Sequence, residues 1–365
     1  LEPLNAIRSG LAESKRESTI ATTTESIEDL FARYGQPYRV LVMTAGMAAS
    51  FTMVISGTIV NVAVPDVMGA FGVGLDQAQL MTSAFNIAMV TSQLLSAWVV
   101  SAFGQRGGFL LMSLVFLIGS LIGAISQDFN MIVVGRVLQG VAAGVIQPLV
   151  MVIAFQVFPV ERRGYAMAIY SMGVFLAVAV GPIVGGFAID WFNWRYIFWA
   201  PLPIIGVASL MAWVFVPSVR NKEQAPFDWT GYVLLVVAVY CLITGLTEGV
   251  REGWTSSYIL GLFAIGIGSG IVLILTQLRD RPTLIDVSLF EHKQFAMTAL
   301  IAFVFGVGNF GTGYGRLLDE GWEARMAIFR SDVTAVIRKY YTCRVSDVSP
   351  ERYCLQSTAR IFLMV

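Results

Sequence analysis

The chain has 365 residues, of which 56% are hydrophobic and only 13% are charged. A soluble globular domain carries about 25% charged residues, so this composition excludes an ordinary water-soluble enzyme. The 24 lysines and arginines balance the 24 aspartates and glutamates, so the net charge gives no reason to expect a nucleic-acid partner.

Nine apolar blocks follow one another between residues 39 and 314, and each is predicted to cross a membrane. The hydrocarbon core of a bilayer is about 30 Å thick, and a helix of roughly 20 residues spans it. The blocks must be helical because lipid offers the backbone no hydrogen-bond partner. The sequence therefore predicts an all-α, polytopic transmembrane helix bundle. The predicted spans are 40–64, 80–103, 108–127, 131–156, 165–188, 197–217, 229–248, 257–277 and 295–314.

The loops between the spans are alternately rich and poor in cations. Arg106 follows span two, Arg162 and Arg163 follow span four, and further cations follow spans six and eight. The polar N-terminal segment 1–38 also carries lysine and arginine. Because these residues accumulate in cytoplasmic loops, we expect the N-terminus to lie inside the cell.

Arg136 is the most informative single residue, because it lies within span four and in the predicted outer half of the membrane. A charged side chain at that depth is costly and normally faces a polar cavity or a partner. The alternative is that its long stem lets the guanidinium reach the outer interface. Gln139 and Gly140 follow at helical spacing.

Asn61 lies in the predicted outer half of span one. An amide buried in hydrocarbon needs a hydrogen-bond partner, either on another helix or on a ligand, and the sequence leaves both open. Span five contains Gly181, Pro182, Gly185 and Gly186. Proline removes a backbone hydrogen bond and glycine permits close contact, so a bent and tightly packed helix is expected. The bend is either static or a hinge between two moving halves.

Four motifs in order resemble the major facilitator superfamily, and within it the fourteen-span drug:proton antiporter branch of the EmrB and QacA type. The resemblance covers residues 39–314. The motifs are Thr58-Ile59-Val60-Asn61-Val62-Ala63-Val64-Pro65 in span one, Arg136-Val137-Leu138-Gln139-Gly140 in span four, Gly181-Pro182 with Gly185-Gly186 in span five, and Asn193-Trp194-Arg195-Tyr196-Ile197-Phe198 before span six.

The resemblance implies two bundles of six helices with substrate bound between them. Residues 39–217 would form the N-terminal bundle. Residues 218–294 would hold a cytoplasmic linker and an inserted helix pair, and 295–314 would be the first helix of the C-terminal bundle. The segment 315–365 would be a polar tail outside the family pattern.

The implied function is proton-coupled efflux of hydrophobic or cationic drugs across a bacterial-type cytoplasmic membrane. Arg136, Gln139 and Asn61 would serve transport and coupling, and the span-five glycines with Pro182 would serve as a hinge. Gly104 and Arg106 would belong to a cytoplasmic gating loop. The implied partners are a small molecule, protons and the lipid bilayer, and a membrane-fusion partner is left unidentified. No metal or other cofactor is predicted, because the three cysteines and the lone His292 show no ligand spacing.

Three departures from the family pattern matter. Ser56 stands where the family usually has an acid, two positions before Thr58, and this puts proton coupling in question. Ser101 takes the acid position of the loop motif after span two. Residues 315–365 hold eight of the 24 lysines and arginines and no apolar run of 20 residues. Two alternatives therefore stay open: a truncated or frameshifted fragment that does not transport, and a proton-independent facilitator or sensor of the same fold.

Overall fold

A computed structural model describes residues 27–35, 37–218, 227–278, 292, 295–301 and 304. Every regular element among these residues is helical, which confirms the predicted all-α class. The helices are α1 (Ile27–Tyr34), α2 (Tyr38–Phe71), α3 (Leu75–Ser92), α4 (Leu95–Ala124), α5 (Phe129–Val157), α6 (Val160–Trp191), α7 (Tyr196–Trp199), α8 (Leu202–Phe215), α9 (Trp229–Glu252) and α10 (Ser257–Gln277).

By length and composition, seven helical segments of the described chain are suited to crossing a membrane. They correspond to the predicted spans one and three to eight. The predicted second span is divided between α3 and the first part of α4, because Gln93 and Leu94 form a turn between the two helices while keeping helical backbone angles. The predicted ninth span, 295–314, lies mostly outside the described residues. Its first part, 295–301, is described and is helical.

The chain reverses direction within α4, at Gly104. This residue has φ 73° and ψ 172°, a left-handed backbone conformation that favours glycine. A methyl group at Gly108 would lie 3.0 Å from Cγ1 of Val99, although nine residues of unbroken helix would separate the two by about 13 Å. Spans two and three are therefore antiparallel neighbours joined by a very short loop.

The chain forms two compact units, Leu1–Thr276 and Gln277–Val365, and the first contains nearly all the described residues. In the first unit α5 lies centrally, packed against α4 and α3, and α2 packs against α6 and α8. Helix α9 packs against α3, and α10 contacts α9 where Gly266 meets Leu242 and Cys241.

Glycine lies where these helices approach most closely. A side chain at Gly119 would reach the carbonyl oxygen of Gly135 at 2.7 Å, so α4 and α5 pack backbone to backbone. Gly140 and Gly144 bring α5 equally close to carbonyl groups of α3. Helices in lipid gain little from burying apolar area against each other, and such close contact takes the place of the hydrophobic effect.

The segment predicted as polar, 1–38, ends in the short helix α1, which the sequence analysis did not anticipate. Leu30 of α1 is buried, and the ring of Tyr34 lies 5.3 Å from that of Phe215 at the end of α8. The Tyr38 hydroxyl donates a hydrogen bond to the carbonyl oxygen of Phe215 at 3.0 Å. These contacts join the start of α2 to the end of α8.

Candidate functional site

Arg136 lies in the middle of the bundle and is only 1% exposed. It is the one buried residue with a charged side chain among the residues that the structure describes. The guanidinium therefore turns into the bundle, and the alternative in which it reaches an interface is not what the fold shows. A charge at this position needs several donors and acceptors arranged around it.

Two of the three guanidinium nitrogens are hydrogen-bonded. Nε donates to the carbonyl oxygen of Met81 in α3 at 3.1 Å. Nη1 donates to the carbonyl oxygen and to Oγ of Ser56 in α2, at 3.0 and 3.1 Å, and to Oε1 of Gln139 at 2.8 Å. The ring of Phe85 covers the group, with its centroid 4.2 Å from Cζ. The guanidinium thus joins α5 to both α2 and α3.

Gln139 extends this network to a fourth helix. Its Nε2 donates to Oγ of Ser120 in α4 at 2.7 Å, and both residues are completely buried. Because a guanidinium only donates, its hydrogen bond to Oε1 of Gln139 fixes the orientation of the amide and leaves Nε2 to face Ser120. Sequence reasoning found Arg136 and Gln139 and missed Ser120, whose only signal was a hydroxyl among the apolar residues of span three.

The acceptors around Arg136 are all uncharged: two carbonyls, a hydroxyl and an amide. Ser56 is the residue at which the resemblance places an acid, and the structure puts it in direct contact with the guanidinium. The third nitrogen, Nη2, is buried and has no hydrogen-bond partner within the described part of the chain. The site therefore holds a positive charge and a spare donor group.

Asn61 lies on α2, the helix that also carries Ser56, and its side chain is exposed. Thr82 of α3 donates a hydrogen bond to Oδ1 of Asn61 at 3.0 Å. The interhelical partner that the sequence left open is therefore present, and its role in transport stays a prediction.

The glycines of α6 divide into two groups. Gly181 and Gly185 are buried against α2, where a side chain at Gly181 would overlap Oγ1 of Thr58 and one at Gly185 would lie 2.9 Å from Cγ1 of Ile59. Gly186 has nothing within 4 Å of a methyl group placed on it. Pro182 is exposed, and α6 continues through it as one helix. The expected close packing is present, and the hinge function stays a prediction.

The predicted gating loop centres on Gly104, at the reversal described above. Arg106 donates through Nε to the carbonyl oxygen of Val216 at 2.7 Å, where α8 ends. Gln105 donates through Nε2 to Oε1 of Gln156 in α5 at 2.8 Å. The loop thus contacts the ends of two other helices, and its role in gating stays a prediction.

Comparison with known proteins gives a consistent result. A family model described as Major Facilitator Superfamily matches residues 46–330. The multidrug export protein EmrB of Haemophilus influenzae is 32% identical over 74% of this chain and 54% of its own length. EmrB of Escherichia coli is 31% identical over 72% of this chain and 52% of its own length, and the uncharacterized MFS-type transporter YhcA of Bacillus subtilis is 30% identical over 72% and 49%.

The chain spans about half the length of these curated relatives. Among solved structures, a peptide transporter POT crystallised with sulfate superposes with a TM-score of 0.50 and 17% identity, over 67% of this chain and 53% of that one. At that identity the similarity concerns the fold alone.

Proposed function

The chain belongs to the Major Facilitator Superfamily, a family of membrane transporters and not of enzymes, and we propose that it exports hydrophobic or cationic small molecules by secondary active transport. It is an integral membrane protein with several spans. We propose the bacterial cytoplasmic membrane as its location, with the N-terminus inside, because the cation-rich loops all fall on one side. Relatives named as multidrug exporters support the direction of transport.

The observation that carries the proposal is the buried Arg136 network. Helix packing in lipid does not require a guanidinium, and placing one inside a span costs free energy. Hydrogen bonds from α2, α3 and α4 hold Arg136 and Gln139 as a polar centre inside the bundle. An ionisable residue inside a membrane span marks a functional site, and transporters bind substrate and coupling ions near the bilayer midplane.

Proton coupling is a separate question, and Ser56 is the residue that bears on it. A carboxylate at this position would be a natural proton carrier, and serine does not titrate in the physiological range. The direct contact of Ser56 with Arg136 favours a second candidate function, a carrier of the same fold that moves its substrate without protons. The Ser56→Asp variant separates the two candidates.

The test measures efflux of ethidium, a fluorescent lipophilic cation, from bacterial cells that lack their own exporters. Because the chain spans about half the length of its relatives, two proteins are compared: the 365-residue chain, and a chimera in which the C-terminal part of the Haemophilus influenzae exporter follows residue 294. We expect efflux from the chimera at least, and its loss in Arg136→Ala with membrane insertion unchanged. Unaltered efflux in Arg136→Ala contradicts the role given to this residue.

A protonophore then separates the two coupling modes. If Ser56 has removed proton coupling, efflux by the chimera continues when the pH gradient is collapsed, and the Ser56→Asp variant becomes sensitive to the collapse. If the chimera and its Ser56→Asp variant both lose efflux when the pH gradient is collapsed, protons are carried by other residues and the second candidate function is wrong. Absence of ethidium efflux from the chain and from the chimera alike favours the non-transporting fragment.

A further inference from the structure

We propose that Arg136 binds a small monovalent anion, which occupies the place beside Ser56 that the resemblance gives to a carboxylate. This inference does not depend on the direction or the coupling of transport. It follows from three properties of the site: its charge, its unused donors and its size.

The charge of the guanidinium is not compensated by any group that it contacts. Its acceptors are the carbonyl oxygens of Met81 and Ser56, the Ser56 hydroxyl and the Gln139 amide. Dipoles of this kind reduce the cost of burying a cation without neutralising it, and buried charges in proteins are normally paired. A bound anion would give the site the net charge of zero that an acid–arginine pair has.

The unused donors belong to two residues that are hydrogen-bonded to each other. Arginine has five N–H groups in a planar fork, and the two on Nη2 have no acceptor within the described chain, although this nitrogen is buried. The Ser56 hydroxyl accepts from Nη1, and its own proton is donated to no described group. A single anion in contact with Nη2 and Ser56 Oγ would satisfy donors from both residues, and such charge-assisted hydrogen bonds are the strong ones.

The size of the site limits the ligand. Arg136, Ser56 and Phe85 are 1, 2 and 3% exposed, so only an ion of a few atoms is compatible with their packing. Serine is smaller than aspartate by one carbon and one oxygen, which is close to the volume of a chloride ion or of a formate carboxylate. The shared chemistry is therefore a small monovalent anion, and its source is either an inorganic salt or the carboxylate of a small organic acid.

The experiment measures thermal unfolding of the detergent-purified full chain by tryptophan fluorescence, in sodium gluconate with chloride or formate substituted at constant ionic strength. Gluconate is too large for the site and serves as the reference anion. We expect a rise of several degrees in the unfolding temperature with chloride, with formate or with both, and the rise should grow with the logarithm of the anion concentration. Chloride alone identifies an inorganic ion as sufficient, and formate alone identifies a carboxylate.

Three variants test whether the effect arises at Arg136. Ser56→Asp supplies a tethered carboxylate, so its unfolding temperature should no longer depend on the anion. Arg136→Gln should also lose the dependence, and Ser56→Ala should retain it with a several-fold weaker apparent affinity. Equal unfolding temperatures of the unmodified protein in all three salts overturn the proposal. So does a full anion response in Ser56→Asp, because it would place binding elsewhere.

Chloride NMR of the unmodified protein keeps the proposal testable even if the variants fail to fold. Line broadening of the ³⁵Cl signal that formate reverses, and gluconate does not, supports the site. Broadening that formate fails to reverse, although formate raises the unfolding temperature, rejects the site, and so does the absence of broadening together with no formate effect on unfolding. Neither measurement needs a gradient or a transported drug, so the outcome is independent of the efflux assay.

Discussion

Helix α2 meets two neighbours by two different kinds of contact. Towards α6, the stretch around Thr58 and Ile59 lies against Gly181 and Gly185, with no room for a side chain on either glycine. Towards α5, Ser56 accepts two hydrogen bonds from the buried guanidinium of Arg136. The contact with α6 depends on the lack of a side chain at Gly181 and Gly185. The contact with α5 depends on the two oxygen atoms of Ser56 that accept hydrogen bonds.

These two kinds of contact tolerate different substitutions. Close packing of small residues in lipid is lost when atoms are added, because backbone separation is set by the largest side chain at the interface. A buried hydrogen-bonded network is lost when atoms are removed, because each deletion leaves a partner unsatisfied. Variants that add one methyl group on α6 or remove one hydroxyl near Arg136 therefore test the comparison directly.

The largest effect is expected for Gly181→Ala. The new methyl group would overlap Oγ1 of Thr58, and the helices must separate to relieve it. Overpacking of this kind costs about 1–3 kcal/mol, so we expect a loss of that size in the free energy of unfolding. SDS-induced unfolding in mixed micelles, followed by tryptophan fluorescence, measures it.

Gly186→Ala is the matched control, because the same methyl group meets nothing within 4 Å. Its free energy of unfolding should stay within about 0.5 kcal/mol of the unmodified value. The double variant Gly181→Ala with Thr58→Ala removes the overlapping hydroxyl and leaves the nearest atom, Cβ of residue 58, at 3.0 Å. It should recover part of the loss, and equal losses at Gly181 and Gly186 would show that α2 and α6 are not packed as described.

The spans were predictable because each depends on a local property of the sequence. Seven predicted spans match described helices to within a few residues at most ends, and Gly104 breaks the helix where the sequence placed a loop. The placement of Arg136 beside Gln139 was also foreseeable, because residues three apart lie on one face of a helix.

What could not be predicted depends on which helix faces which. Ser120 and the carbonyl of Met81 become partners of the central network only through the packing of α4 and α3 on α5. The second span is interrupted at Gln93, where no proline or glycine in the sequence indicates a break. Helix α1 is eight residues long, and a helix so short forms by packing against the bundle and not by its own propensity.

A smaller effect is expected for Ser120→Ala, which removes the hydroxyl that accepts from Gln139. The buried Nε2 of Gln139 is left without this partner, and we expect a loss of about 1 kcal/mol in the free energy of unfolding. Ser113→Ala is an unusually close control: it lies on the same helix at 1% exposure, and its hydroxyl has no partner among the described residues. It should leave stability unchanged, and a larger loss at Ser113 than at Ser120 would contradict the network.

The smallest effect is expected for Thr82→Val, which removes the hydrogen bond to Asn61 and keeps the shape of the side chain. Both residues are at least partly accessible, so Asn61 exchanges its lost partner for surrounding solvent or detergent headgroups, and the free energy of unfolding should fall by no more than about 0.5 kcal/mol. The same micelle unfolding assay measures the change, with Asn61→Leu as the reciprocal variant and the double variant closing a thermodynamic cycle. A coupling energy of Thr82 with Asn61 above that of Ser56 with Arg136 would place the strongest polar contact of α2 at Asn61. The division of this helix into a close-packed face and an arginine-bonded face would then be wrong.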